Sequence, residues 1–315
     1  MLNELKIFTG RAHPELAEEV CSELQVSLGH SEITKFSNDN SFVRINESVR
    51  EADVFVIQPS CYPVNDGLVE LLIMLDALKR ASVRRLTVVT TYFPYARSDK
   101  KDQPRISITA RLAADLLQIA GADRILSLDL HSPQIQGFFS IPVDHLTAVP
   151  ILAGYFAGKM SEDLVVVAPD VGRAKMARQY ARRLKVPMAI IDKRRLDNEE
   201  NVVIDNVIGD VKDRQCLIVD DEISSGGSLT AAADTLARFG AKNIFAAVTH
   251  PILSGMAPQR VLSSKIDELV VTNSVPVPEE KRNKKIKVLS IAPLVGEAIR
   301  CIHKGTSVST VFEKE

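Results

Sequence analysis

The sequence predicts an α/β protein built from two tandem doubly wound, mainly parallel-sheet domains. Three observations carry this. Short apolar runs rich in Val and Ile recur along the chain, and they are apolar throughout rather than alternating, the pattern of strands covered on both faces. Segments with apolar residues at every third or fourth position separate them, so strand and helix alternate as βαβ units require. The runs fall into two successive series, and 315 residues suit two domains of about 150 residues each.

Taken in order, the first series places strands at 5–9 (LKIFT), 53–58 (DVFVIQ), 86–93 (LTVVTTYF) and 124–130 (RILSLDL), with helices over 65–81 and 107–121. The second places strands at 164–169 (LVVVAP), 187–192 (PMAIID), 215–220 (QCLIVD), 243–249 (NIFAAVT) and 268–273 (ELVVTN), with helices over 171–184 and 228–240. The break at 144–152 (DHLTAVPIL) divides the chain into 1–147 and 148–303. The charged stretches 192–200 and 279–285 read as exposed loops.

Composition removes several classes. A chain 45% hydrophobic and 25% charged is globular in type. No apolar run approaches the ~20 residues that cross a bilayer. The N-terminal residues lack the basic and apolar regions of a secretory signal, so the expected location is the cytoplasm, without a membrane partner. Charges balance, 39 Lys+Arg against 40 Asp+Glu, which argues against nucleic acid as the main partner. Cys21, Cys61, Cys216 and Cys301 show no metal-site spacing and read as reduced thiols.

The segment CLIVDDEISSGGSLTAAADTL, 216–236, carries the most chemistry. An apolar strand ends in Asp220 and Asp221. Ser224, Ser225, Gly226, Gly227 and Ser228 follow, and an Ala-rich helix begins. Glycines let the backbone approach a ligand closely, and turned N–H groups at a helix start cradle an anion. The acids sit at the carboxyl end of their strand, where doubly wound sheets bind ligands. They can accept from the vicinal hydroxyls of a ribose whose 5-phosphate fills the loop. A tight turn with two solvated acids is the bland alternative.

This segment resembles the phosphoribosyl-diphosphate motif of type I phosphoribosyltransferase-like proteins. YFPYARSDKK (92–101), SLDLHSPQIQGFF (127–139), APDVG (168–172), DKRR (192–195), KFSNDNSFVRINESVREADVFVIQ (35–58) and SVSTVF (307–312) are similar to class I ribose-phosphate pyrophosphokinases, in the expected order over essentially the whole chain. The resemblance implies transfer of a diphosphoryl group from ATP to ribose 5-phosphate, giving AMP and 5-phosphoribosyl 1-diphosphate. A non-catalytic regulatory homologue and a base-specific phosphoribosyltransferase are the rivals. Retention of the motif residues argues against the first, and two sheet-sized halves argue against the second.

The same resemblance assigns residues. Lys193 and Arg195 become the catalytic pair on a loop after strand 187–192; taken alone, they read as a solvated charge run, the usual fate of such tracts. Phe36, Asn38 and Asn40 bind adenine from a neighbouring subunit, and Asp39, Arg97, Ser98 and Asp99 bind ATP with His131. His131 and Asp170 hold Mg²⁺, the implied cofactor, and Asp170 at a strand end suits a hard-oxygen ligand. Asp220, Asp221 and 224–228 hold ribose 5-phosphate, with ATP across the domain boundary and 193–200 as a lid. Four positions depart from the family pattern: Asn40 stands where Glu is usual, Ser98 where Gln is, Arg173 where a second glycine is common, and Ser228 where Thr is. A homohexamer is implied, with the tail 304–315 packed back on the first domain. Ser48, Arg50, Gln136, Asp144, Ser307, Ser309 and Phe312 match positions binding ADP as inhibitor or phosphate as activator. For 307–312 alone, a strand packing alternating serines on a surface is nearly as good a reading. His145 stands where Asn is frequent; otherwise His145 and His250 read as structural.

Overall fold

The computed structural model describes residues 4–159, 163–195 and 203–309. The chain divides into two units. One comprises Met1–Thr147, Ser274–Pro276 and Ser290–Glu315, the other Ala148–Asn273 and Val277–Leu289.

The first unit runs β1 (Leu5–Thr9), α1 (Pro14–Leu24), β2 (Ser31–Lys35), β3 (Ser41–Ile45), β4 (Asp53–Ile57), α2 (Val64–Arg80), β5 (Arg85–Thr90), α3 (Thr109–Ala120), β6 (Arg124–Leu128) and β7 (Val143–Leu146). Strands β1, β4, β5, β6 and β7 lie side by side in that order, all parallel. Every residue of β4 is buried, as a strand covered on both faces demands. Phe8, Val54, Val56, Val88 and Ile125 pack with Leu71, Leu75 and Leu78 of α2 and Ala110, Ala114 and Leu117 of α3. The antiparallel pair β2–β3 forms a separate small sheet.

The second unit runs α4 (Val149–Ala157), β8 (Leu164–Ala168), α5 (Ala174–Leu184), β9 (Met188–Arg195), β10 (Val203–Ile208), β11 (Gln215–Ile223), α6 (Gly227–Arg238), β12 (Asn243–Pro251), α7 (Ala257–Ser263), β13 (Glu268–Thr272) and β14 (Ile286–Leu289). The sheet order is β10-β9-β8-β11-β12-β13-β14. All neighbours are parallel except β9 and β10. The chain leaves β8 toward β9 on one side and takes up β11 on the other. That reversal is a topological switch point, and it opens a crevice at the carboxyl ends of β8 and β11.

Several expectations are corrected. Lys193 and Arg195 lie in β9 rather than in a loop, because the strand continues to Arg195 and β10 pairs back with it, Val203 opposite Arg195 and Asp205 opposite Lys193. The expected strand 215–220 runs on to Ile223. The expected helix 171–184 opens as a 3₁₀ turn, Val171–Arg173, before α5. Expected strand 86–93 stops at Thr90. The sequence reading leaves the last helix, α8 (Ala292–Lys304), with the second half, but it packs on the first unit. Arg300 donates to Glu23 O at 3.0 Å, and His303 Nδ1 meets Asp53 Oδ2 at 2.7 Å. Among the described residues, no helix is long and apolar enough to cross a membrane.

Candidate active site

In the second unit, β11 carries Asp220 and Asp221 to the switch point. Successive residues of a strand face opposite ways, and the two acids differ accordingly: Asp221 is 1% exposed, while Asp220 is half-buried. The Asp221 N–H donates to Asp220 Oδ1 at 2.9 Å. Burial first, then the charge of Asp221, raises the Asp220 carboxyl well above the usual carboxylate range, and the Arg173 guanidinium opposes this. The Arg173 guanidinium forms ion pairs with both carboxyls, its Nε 2.9 Å from Asp220 Oδ1 and its Nη2 2.7 Å from Asp221 Oδ1.

The loop after β11 is clamped from outside. Leu253 N–H donates to Ile223 O at 3.0 Å, Ser254 N–H to Ser224 O at 3.0 Å, and Arg260 Nη1 to Ser225 O at 2.9 Å. Ser224 Oγ and Ser254 Oγ share a hydrogen bond at 3.1 Å. Gly226, with φ of +79°, turns the chain into α6, a left-handed conformation that glycine adopts without cost. Gly227 and Ser228 form the first turn of α6, whose N–H groups have no carbonyl one turn back. Ser225 and Ser228 are exposed. The arrangement therefore presents N–H donors and hydroxyls beside two carboxyls. That chemistry suits an anionic group joined to a donor-bearing polyol.

Asp170 caps the turn after β8, its Oδ1 accepting from Arg173 N–H at 3.1 Å. It is exposed at the carboxyl end of β8, a hard oxygen donor of the kind Mg²⁺ takes. Of Lys193 and Arg195 only the backbone placement in β9 is described.

The first unit holds the other candidates. Phe36, Asn38, Asp39 and Asn40 form the exposed tip of the β2–β3 hairpin. Phe36 N–H donates to Asn40 O and Asp39 N–H to Phe36 O, both at 2.9 Å, while Lys35 Nζ reaches Asp39 Oδ1 at 2.7 Å. Phe36 stands 57% exposed and edge-on to Phe42, with ring centroids 5.6 Å apart. An aromatic so exposed on a pinned turn is an open stacking platform. Arg97, Ser98 and Asp99 follow the β5 strand in a turn fastened by Ser98 N–H to Tyr95 O at 2.8 Å.

His131 follows β6 in a loop that His145 supports: Leu130 N–H donates to His145 Nε2 at 2.9 Å. Gln136, in the 3₁₀ turn Pro133–Phe138, approaches His145 Nδ1 at 3.4 Å, and Asp144 on β7 pairs with Arg124 at 2.6 Å. Ser48 and Arg50 lie exposed between β3 and β4. Ser307 and Ser309 follow α8 with their hydroxyls 2.7 Å apart. Phe312 lies outside the described residues.

The sequence reading missed two features, Arg173 as a bridge and Arg260 as a clamp, whereas His145, read as structural, supports the His131 loop. Each reaches its partner across a fold contact that no local spacing encodes. For Arg173, the available signal was its departure from the glycine that the resemblance leads one to expect there.

Fold and site define a type I phosphoribosyltransferase-like α/β protein. Residues 5–121 match the N-terminal domain of ribose phosphate pyrophosphokinase, and residues 203–313 match the phosphoribosyl synthetase-associated domain. The chain is 51% identical over 313 residues to a ribose-phosphate pyrophosphokinase of Clostridium acetobutylicum, covering 99% of this chain and 98% of that one. It is 49% identical over 309 residues to a ribose-phosphate pyrophosphokinase of Bacillus subtilis, covering 98% and 97%. The crystal structure of phosphoribosylpyrophosphate synthetase from Mycobacterium smegmatis superposes with a TM-score of 0.90 at 46% identity, covering 96% of this chain and 99% of that chain. The chain belongs to the ribose-phosphate pyrophosphokinase family.

Proposed function

We infer that this chain transfers the diphosphoryl group of ATP to the anomeric hydroxyl of ribose 5-phosphate, releasing AMP. One observation carries the reading: the Asp220–Asp221 pair ends β11 at the switch point and leads through Gly226 into the start of α6. In this reading the 5-phosphate takes the N–H groups and hydroxyls of 224–228. The 2- and 3-hydroxyls donate to Asp220 and Asp221, which orients the anomeric oxygen. Phe36 stacks on adenine, Asn38 and Asn40 hydrogen-bond its edge, Asp39 lies in the same ATP-binding turn, and Arg97, Ser98 and Asp99 order the triphosphate.

Mg²⁺, when bound, would neutralise charge on the transferred group; Asp170 and His131 are the residues assigned to it, and the exposed Asp170 carboxylate is the hard oxygen donor that suits this ion. Lys193 and Arg195 contribute cationic stabilisation of the charge that develops as the diphosphoryl group moves, since positioning and electrostatics dominate such transfers. Ser48, Arg50, Gln136, Asp144, Ser307, Ser309 and Phe312 are the proposed contacts of an effector, ADP or inorganic phosphate, in a homohexamer. The expected location is the cytoplasm.

An AMP-release assay tests the reading. The full chain should release AMP only when ATP, Mg²⁺ and ribose 5-phosphate are all present. Lys193→Ala and Arg195→Ala should each cut turnover by ~10²–10³ while sugar-phosphate binding persists. Release of AMP independent of ribose 5-phosphate, or near-normal turnover in both variants, would contradict it.

A further inference from the structure

At the switch point of the second unit one side chain joins the turns after β8 and β11. Arg173 ends the 3₁₀ turn, and its guanidinium forks onto Asp220 Oδ1 at 2.9 Å and Asp221 Oδ1 at 2.7 Å. Its backbone N–H rests on Asp170 Oδ1 at 3.1 Å, so a third acid fixes the turn from which the fork reaches out. The contact is not a loose surface pair: the Arg173 side chain is 19% exposed and the Asp221 side chain 2%.

Two properties of this fork matter for a ligand. A guanidinium is planar and its donors keep a fixed separation, so binding two carboxyls sets the distance and tilt between them; an ammonium sets neither. Charge matters too. Asp221 is a buried acid on the strand that leads into the loop at 224–228, and a sugar phosphate arriving there is itself an anion. Without an internal cation, like charges would oppose its entry. Glycine at this position would have no side chain to supply either property.

We propose that Arg173 is the positioning residue of the sugar subsite, holding Asp220 and Asp221 in register as acceptors for the sugar hydroxyls and supplying the resident positive charge that admits the sugar phosphate before metal or nucleotide. The proposal rests on the assignment of ribose 5-phosphate to this site.

Calorimetric titration of ribose 5-phosphate into the full chain, with metal chelated and nucleotide absent, tests it. The wild type should bind. Arg173→Gly should weaken binding roughly tenfold to a hundredfold, the range set by loss of one charged hydrogen-bonding partner. Arg173→Lys should recover only part, because it restores the charge without the fork. ATP affinity in Arg173→Gly should stay at the wild-type value. Should the glycine variant fail to fold, as its melting curve would reveal, Arg173→Lys and Arg173→Gln carry the comparison, and the lysine variant should bind more tightly.

Asp221→Asn separates the two levels of the argument. If it weakens the sugar phosphate while Arg173→Gly binds as tightly as wild type or more so, the role of Arg173 is overturned and the sugar site stands. If neither variant changes affinity, the site assignment falls and takes the proposal with it. Equal losses of sugar and ATP affinity in Arg173→Gly would reveal structural damage and overturn the positioning role. A wild type that binds only after Mg²⁺ is added would overturn the resident-charge role.

Discussion

Asp220 and Asp221 are neighbours in sequence with the same functional group, and the strand gives them different surroundings. Asp221 is the more buried of the two and pairs with Arg173, whereas Asp220 keeps more access to solvent. Burial, with the Asp221 charge behind it, pushes the Asp220 carboxyl up to about 8 against the pull of Arg173. The sign of the consequence follows. Above the ordinary carboxylate value the unfolded chain has released this proton while the folded chain keeps it, so folding stability from this group declines as pH rises toward 8. Sugar hydroxyls donate best to the ionised carboxyl, so ribose 5-phosphate affinity should climb across the same window. Titrations from the carboxylate range to above pH 8 check this, and Asp220→Asn should remove the climb. An equal climb in that variant would place the titration on the ligand or elsewhere in the chain. At this scale the acid pair and glycine loop were legible, because adjacent residues spell them out. Arg173 stood out only as a departure from the glycine that the resemblance leads one to expect there, because its partners lie on another strand.

The loop between β11 and α6 shows what an element needs in order to hold an anion: a sharp entry, a free helix start and an anchor. Gly226 supplies the entry at φ +79°. A Cβ built there meets no atom nearer than 3.6 Å, so a side chain would cost backbone strain rather than a clash. Gly226→Ala should therefore lower unfolding stability by about 1–2 kcal/mol, the penalty of a left-handed alanine. Gly226→Asn should lose less, since asparagine tolerates that region better. Denaturant melts check both; equal stability in the alanine variant would show that the turn relaxes. The central strands were legible because both of their faces are covered, which gives unbroken apolar runs such as LVVVA in β8. The β9–β10 hairpin was not, because β10 is an edge strand and its pair with the end of β9, DKRR, needs main-chain partners rather than an apolar face. The exposed β2–β3 hairpin escaped for the same reason.

Across the whole molecule, the chain returns late to the unit where it began. Asp53 at the start of β4 accepts Arg85 Nε at 2.8 Å and Arg85 Nη2 at 2.6 Å, and His303 of α8 meets the same carboxylate. Arg85 also donates to Ile302 O at 2.9 Å, so a buried acid ties the last helix to the first sheet. Two sheets in one chain were readable from the two strand series, but this return was not, since nothing local distinguishes α8 from a helix of the second unit. Each unit contributes separate candidates: the exposed hairpin tip and the turns after β5 and β6 in the first, the acid pair and anion loop in the second. The central claim is that together they move a diphosphoryl group as one piece from ATP to the sugar. Phosphorus NMR of the reaction mixture tests this most directly. The account predicts AMP and a sugar carrying two coupled phosphorus atoms on its anomeric oxygen, formed in equal amounts. ADP with a singly phosphorylated anomeric oxygen would contradict it.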